Sequence, residues 1–178
     1  MTGGGPRGHV TERKKIFPED FQWGVATSAF QLEGSPHADW TNWDAILSEK
    51  PGITDHYSLY KEDLALLKHL GVSAYRFSIE WSRIQPHENA WDHEAVAHYQ
   101  DIIDILRGCG IEPMVTLHHF TNPLWFITKY PWHVDGSVEK FTAYAGRLVA
   151  ELTGVKYWLT FNEPYVILLG GYLEGCTP

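Results

Sequence analysis

Cysteine is scarce in this 178-residue sequence, which holds only two, Cys109 and Cys176. Two cannot build a disulfide framework, and the expectation is a reducing, cytoplasmic setting. Long apolar runs are missing as well. The longest, Val166 to Leu173, is broken by Gly170 and Gly171 and is far too short to span a bilayer. Arg7, Arg13, Lys14 and Lys15 crowd the start with no apolar stretch behind them, so no secretory signal is visible. Met1 to Lys15 reads as a disordered leader ahead of one domain over 16–178. Positive charge is in deficit: 14 Lys+Arg against 22 Asp+Glu leave a net charge of −8, which argues against nucleic acid and an anionic membrane as partners. What is abundant is aromatic, with 8 Trp, 9 Tyr and 8 Phe, enough to fill a core or to line a site for flat, partly apolar ligands such as sugar rings.

A pattern recurs along the chain: an amphipathic stretch ends at a glycine, an apolar residue follows, and a β-rich run begins. It occurs at Gly71 before SAYRFSIE, Gly110 before EPMVTLHH and Gly154 before KYWLTF, at intervals of 39 and 44 residues. Each glycine falls where a helix end needs a left-handed residue. Tyr60, Leu64 and Leu67 form one apolar stripe, Val96, Tyr99, Ile103 and Leu106 a second, and Phe141, Ala145, Leu148, Val149 and Leu152 a third, all at helical spacing. With an earlier strand over Phe21 to Ala29, this predicts an α/β chain of four parallel strands in the order 1-2-3-4, with three crossover helices on one face. Right-handed crossovers make either a doubly wound sheet or part of a (β/α)8 barrel. After strand one comes SAFQLEG, with no GxGxxG phosphate turn, and the strand-to-helix connections are the long ones. Both points favour the barrel, of which about four β/α units are present. Cys109 then falls at the barrel bottom and Cys176 at the top, ~20 Å apart, too far for a disulfide.

Strand two alternates Tyr75, Phe77 and Ile79 with Arg76, Ser78 and Glu80. If the apolar set meets the helices, an arginine and a glutamate look inward, and Arg76 needs a carboxylate: it either pairs with Glu80, the simpler choice for that glutamate, or organises a catalytic carboxylate. Strand four ends in Thr160-Phe161-Asn162-Glu163-Pro164, where the proline should hold Glu163 extended at the strand terminus. Asn162 carries both a donor and an acceptor, suited to a sugar hydroxyl. Spacing alone leaves a plain surface glutamate in a turn equally open. Strand three ends in His118-His119-Phe120, whose adjacent histidines diverge and make a poor metal chelate. Gln31 ends strand one.

The stretches FPEDFQWGVATSAFQLEG, YRFSIEWSRIQP, VTLHHFTNPLW and KYWLTFNEP resemble the N-terminal half of glycoside hydrolase family 1, the β-glucosidase and β-galactosidase family. The resemblance implies the N-terminal half of a (β/α)8 barrel in a retaining β-glycosidase that needs no metal or organic cofactor. By motif it assigns Glu163 as the general acid/base, Asn162 to the sugar 2-hydroxyl, and Gln31 and His119 to the glycone. Phe120 takes the place of a tryptophan platform, and Arg76 contacts the nucleophile. That nucleophile belongs to a TENG-like motif at strand seven, which does not occur in this sequence, and Trp40 to Trp43 lacks an Asp-Gly-Arg common there. The implied partners are a β-glycoside or oligosaccharide and either a second copy or a complementary C-terminal half. A non-catalytic, sugar-binding half-barrel and an inert truncated product stay open beside the enzyme reading.

Overall fold

The computed structural model describes residues 17–43 and 54–178, so the expected leader, 1–15, lies outside the described residues. The elements are β1 (Gly24–Ala26), α1 (Ala29–Glu33), a 3₁₀ turn (Asp39–Asn42), α2 (His56–Leu70), β2 (Ala74–Ser78), α3 (Trp81–Ile84), α4 (His93–Gly108) and β3 (Glu112–His118). There follow α5 (Leu124–Lys129), α6 (Ser137–Glu151), β4 (Tyr157–Phe161), α7 (Pro164–Ile167) and a π-helical segment (Leu168–Glu174). All four strands join one sheet in the order β1-β2-β3-β4, each pair parallel. The helices α2, α4 and α6 are the crossovers, giving four β/α units, half of what closes a (β/α)8 barrel.

The first strand is shorter than Phe21 to Ala29. After Ala26 the chain leaves the ladder: Thr27 N donates to Arg76 O at 2.9 Å, and Ala29 N turns to Ser78 Oγ at 2.7 Å to begin α1. Before it, Phe21 and Trp23 pack edge to face, 4.8 Å apart, and Trp23 is still 56% exposed.

Helix α4 shows how sequence sets local structure. Asp92 caps its start, accepting from Glu94 N and Ala95 N at 2.9 Å each, an arrangement worth ~1 kcal/mol. Its buried face, Ala95, Val96, Tyr99, Ile102, Ile103 and Leu106, meets Tyr75, Phe77 and Ile79 of strand two, which do point toward the helices. The three turns back into strands place Gly71, Gly110 and Gly154 at φ of 71°, 74° and 83°. On α6 the buried stripe is Phe141, Tyr144 and Leu148; the expected Val149 is 40% exposed, because it lies about 100° round the helix from Leu148. Much of the aromatic content goes into core: Trp81 is 1% exposed and packs on Tyr144 at 4.7 Å, Phe126 at 4.6 Å and Phe141 at 5.7 Å. Cys109 and Cys176 are free. No described helix is long and apolar enough to cross a membrane.

Candidate active site

The C-terminal ends of the four strands carry the chemistry. From β1 the chain enters α1, which is pinned to β2 through Ala29 N and Ser78 Oγ. That pin sets Gln31 one turn above the sheet, its amide oxygen accepting from the Ser28 hydroxyl. Gln31 is exposed.

Arg76 projects inward as expected, but its partner is Asn162, whose Oδ1 accepts from Nη1 at 3.1 Å. It does not pair with Glu80. That carboxylate has curled into the start of α3, accepting from Ser82 Oγ at 2.6 Å, Ser82 N at 3.2 Å and Thr121 Oγ1 at 2.9 Å. Donors from the adjacent turn and from the loop after β3 satisfy it in place of the expected salt bridge along the strand.

At the end of β3 the histidines diverge. His118 is buried, and its Nε2 lies 3.0 Å from Asn122 Oδ1. The Asn122 amide nitrogen donates to Asp39 Oδ2 at 2.8 Å, so Oδ1 is an acceptor and the His118 proton sits on Nε2. Burial lowers His118 to about 4. Burial, and then the Arg76 charge, does the same to His119. Both rings are neutral at pH 7, and a neutral imidazole can bind a sugar hydroxyl without the cost of a buried charge. His119 Nδ1 is buried and has no partner among the described residues. Phe120 follows with φ 70°, a left-handed backbone that lets Thr121 N close onto His119 O at 2.9 Å.

Strand four ends in a sharper turn than expected. Asn162 is buried, its N–H donating to His118 O at 2.9 Å. Glu163 is not extended; it has φ 48° and ψ 59°. The chain passes from strand to α7 in one left-handed residue, and Pro164 at the first helical position loses no hydrogen bond by lacking an N–H. This turn lets neighbouring residues leave the usual opposite-face alternation. Glu163 is exposed, with no side-chain hydrogen bond or ion pair among the described residues.

Gln31, His119 and Phe120 come together in one small hollow of about 30 Å³, with Ser28, Phe30, Trp40 and Thr121. Trp40 and Phe120 also wall a second hollow of about 50 Å³, which reaches Val166 and Ile167 of α7, just beyond Glu163. Among the described residues no group of three or more His, Cys, Asp or Glu side chains could hold a metal.

The family model for glycosyl hydrolase family 1 matches residues 13–178. The chain belongs to this family. Beta-glucosidase A of Thermotoga maritima is 40% identical over 177 residues, which cover 90% of this chain and 39% of that protein. The solved beta-glycosidase from Pyrococcus horikoshii superposes with a TM-score of 0.84 at 42% identity, covering 88% of this chain and 38% of its own. The Thermotoga maritima beta-glucosidase in complex with castanospermine superposes at 0.81 and 34% identity, covering 89% of this chain and 39% of that one. The chain therefore spans about two fifths of the length of these family 1 relatives.

The hollow that takes in Gln31, His119 and Phe120, the residues the family resemblance singles out, also takes in Trp40, which stands beside Asp39. Asp39 accepts from Trp40 N and Asn122 N at 2.9 Å each, tying the 3₁₀ turn to the end of β3, and burial raises its carboxyl to about 6. The available signal was two tryptophans in four residues of a strand-to-helix loop. Glu33, the last residue of α1, has its carboxylate buried. It accepts from Tyr99 Oη at 2.9 Å, and burial raises it to about 8 although Arg83 Nε is 3.6 Å away.

Proposed function

We propose that this chain is the acid/base half of a retaining β-glycosidase that hydrolyses terminal β-linked sugars. In this reading Glu163 protonates the departing glycosidic oxygen and then, as carboxylate, removes a proton from the water that releases the sugar. Asn162, oriented by Arg76, takes the 2-hydroxyl. Gln31 and His119 hold the glycone against Phe120. A carboxylate about 5–5.5 Å from Glu163 forms the covalent intermediate, supplied by a C-terminal half that completes the barrel. The observation that most supports this is the end of β4: a buried, arginine-held asparagine next to an exposed glutamate whose side chain has no partner among the described residues. Such a half-barrel belongs in a reducing compartment, with Cys176 exposed and unpaired. A non-catalytic, self-associating module is the other reading, favoured by apolar side chains left open at both sheet edges, Trp23 and Val25 at one and Tyr165, Leu168 and Leu173 at the other.

The test is complementation. The chain is mixed with the C-terminal half of a family 1 β-glucosidase and assayed on an aryl β-glucoside. Turnover should appear only in the mixture. There Glu163→Gln should lose roughly 10²–10⁴-fold on poor leaving groups. With a good leaving group it should release a burst and stall, and azide, which needs no general base, should relieve the stall. Full activity of Glu163→Gln in the mixture would remove the assignment, and strong self-association without turnover would favour the module.

A further inference from the structure

The hollow holding Gln31, His119 and Phe120 has two walls, α1 on one side and the loop after β3 on the other. The turn after α1 is bonded directly to that loop, Asp39 N donating to Asn122 O at 2.9 Å and Leu124 N to His37 O at 2.8 Å, but α1 itself is reached from the loop by another path. Between them lies Glu80, 1% exposed and with no ion-pair partner among the described residues. Its two oxygens face different walls. Oε2 accepts from Thr121 Oγ1 at 2.9 Å, and Thr121 lines the hollow. Oε1 is 2.6 Å from Ser82 Oγ, which in turn is 2.7 Å from Ser35 Oγ, just past α1. A second route starts from the Glu80 backbone, whose N–H donates to Tyr99 Oη at 3.1 Å, and the Tyr99 hydroxyl donates to Glu33 Oε2 on α1 at 2.9 Å. A third strut joins the same parts, from Arg83 Nη2 to Gly34 O at 2.7 Å.

A cap for a four-residue helix does not need a fully buried carboxylate with an acceptor contact on each side. Burying one without a cation is costly, so it stays only where several donors and a structural demand hold it. We propose that Glu80 is a positioning residue, a second bridge beside the Asp39–Asn122 one, which fixes the separation of the α1 wall that carries Gln31 from the His119–Phe120 wall. It touches no substrate. Its effect on sugar binding rests on reading the hollow as the glycone site; its effect on the walls does not.

The experiment compares Glu80→Ala, Glu80→Gln and Ser35→Ala in this chain by hydrogen exchange and by castanospermine binding. Glu80→Ala should speed exchange in both 28–35 and 119–122 by about tenfold relative to β3 and α4, the scale of losing hydrogen bonds to a charged group. Glutamine can accept on one side and donate on the other, so Glu80→Gln should restore slow exchange in both walls. Ser35→Ala cuts one arm far from the hollow and should loosen 28–35 alone. Castanospermine affinity should fall about tenfold in Glu80→Ala and recover to within about threefold in Glu80→Gln. Unchanged exchange in either wall of Glu80→Ala would overturn the proposal. So would a loss of protection spread evenly over β2, β3 and α4, since a merely structural group gives that pattern. If the unsubstituted chain binds no castanospermine, the sugar reading fails and exchange still decides the bridge.

Discussion

The two ends of the sheet obey different rules. Where helices return to strands, the connections are short and positive φ is taken only by glycine, at Gly71, Gly110 and Gly154. Where strands lead into helices, the three non-glycine residues with positive φ among the described residues are found: Asp55, Phe120 and Glu163. Buried carboxylates also sit on that side, with Glu33, Asp39 and Glu80 all raised, foremost by burial. So does the pair of neutral histidines, His118 and His119. One end follows local preference and specifies the fold. The other departs from it residue by residue, and those departures put Asn162, Glu163 and His119 where they stand.

If the irregular end were loose decoration on a rigid sheet, removing its anchor would disturb it alone. Trp81 is that anchor, packed among α5, α6 and the loop that carries Trp132. We expect Trp81→Ala to cost ~3–5 kcal/mol in denaturant unfolding, and to do so for the whole domain in one transition. A separate early transition confined to the strand-to-helix loops would break the comparison.

The carboxylates give the next effect, through pH. Glu33 binds its proton more tightly folded, at about 8, than its ordinary value of 4.5. Its contribution to stability is complete below 4.5 and declines as pH rises to about 8. Asp39 acts likewise from 3.8 to about 6. Histidines 98, 118 and 119, lowered from 6.5 to about 4, act in the opposite sense below 6.5. The clean window is therefore 6.5 to about 8, where unfolding midpoints should drop with rising pH. Glu33→Gln should flatten most of that slope. A slope in Glu33→Gln as steep as in the unsubstituted chain would show that another group carries it.

Sequence made the regular end legible because its signals are local. A glycine after an amphipathic stripe marks a turn regardless of what lies elsewhere, so strand order and crossovers followed from Gly71, Gly110 and Gly154. Val149 differs because apolar character alone does not mark the edge of a stripe: about 100° round the helix from Leu148, it falls outside the face that Phe141, Tyr144 and Leu148 bury. At the irregular end, pairings run between residues far apart in the chain. Arg76 chose Asn162 over Glu80, and Asp39 chose Asn122, at separations of 86 and 83 residues. Glu163 ran against its expectation for another reason: proline disfavours a right-handed residue before it, but an extended residue could not have turned the chain into α7. Gln31, His119 and Phe120 were found through family resemblance, since one glutamine, one histidine and one phenylalanine carry no periodicity.

The sharpest test of the comparison is also its smallest effect, a pair of glycine exchanges made in opposite directions. Gly71 has φ 71° and open space where a Cβ would stand, so Gly71→Ala brings no clash and only conformational strain. It should cost ~1–2 kcal/mol and leave castanospermine binding untouched. Phe120 has nearly the same φ, 70°, in a residue that carries that strain already. Phe120→Gly releases it but adds the entropy glycine loses on folding, so those two nearly cancel and the net cost, ~1–2 kcal/mol, comes from the lost burial of the ring. Binding should weaken by about threefold to tenfold, because the aromatic wall shared by both hollows is gone. If Phe120→Gly instead unfolds the domain while binding is spared, that left-handed turn serves packing, and the division between the two ends fails at its most specific point.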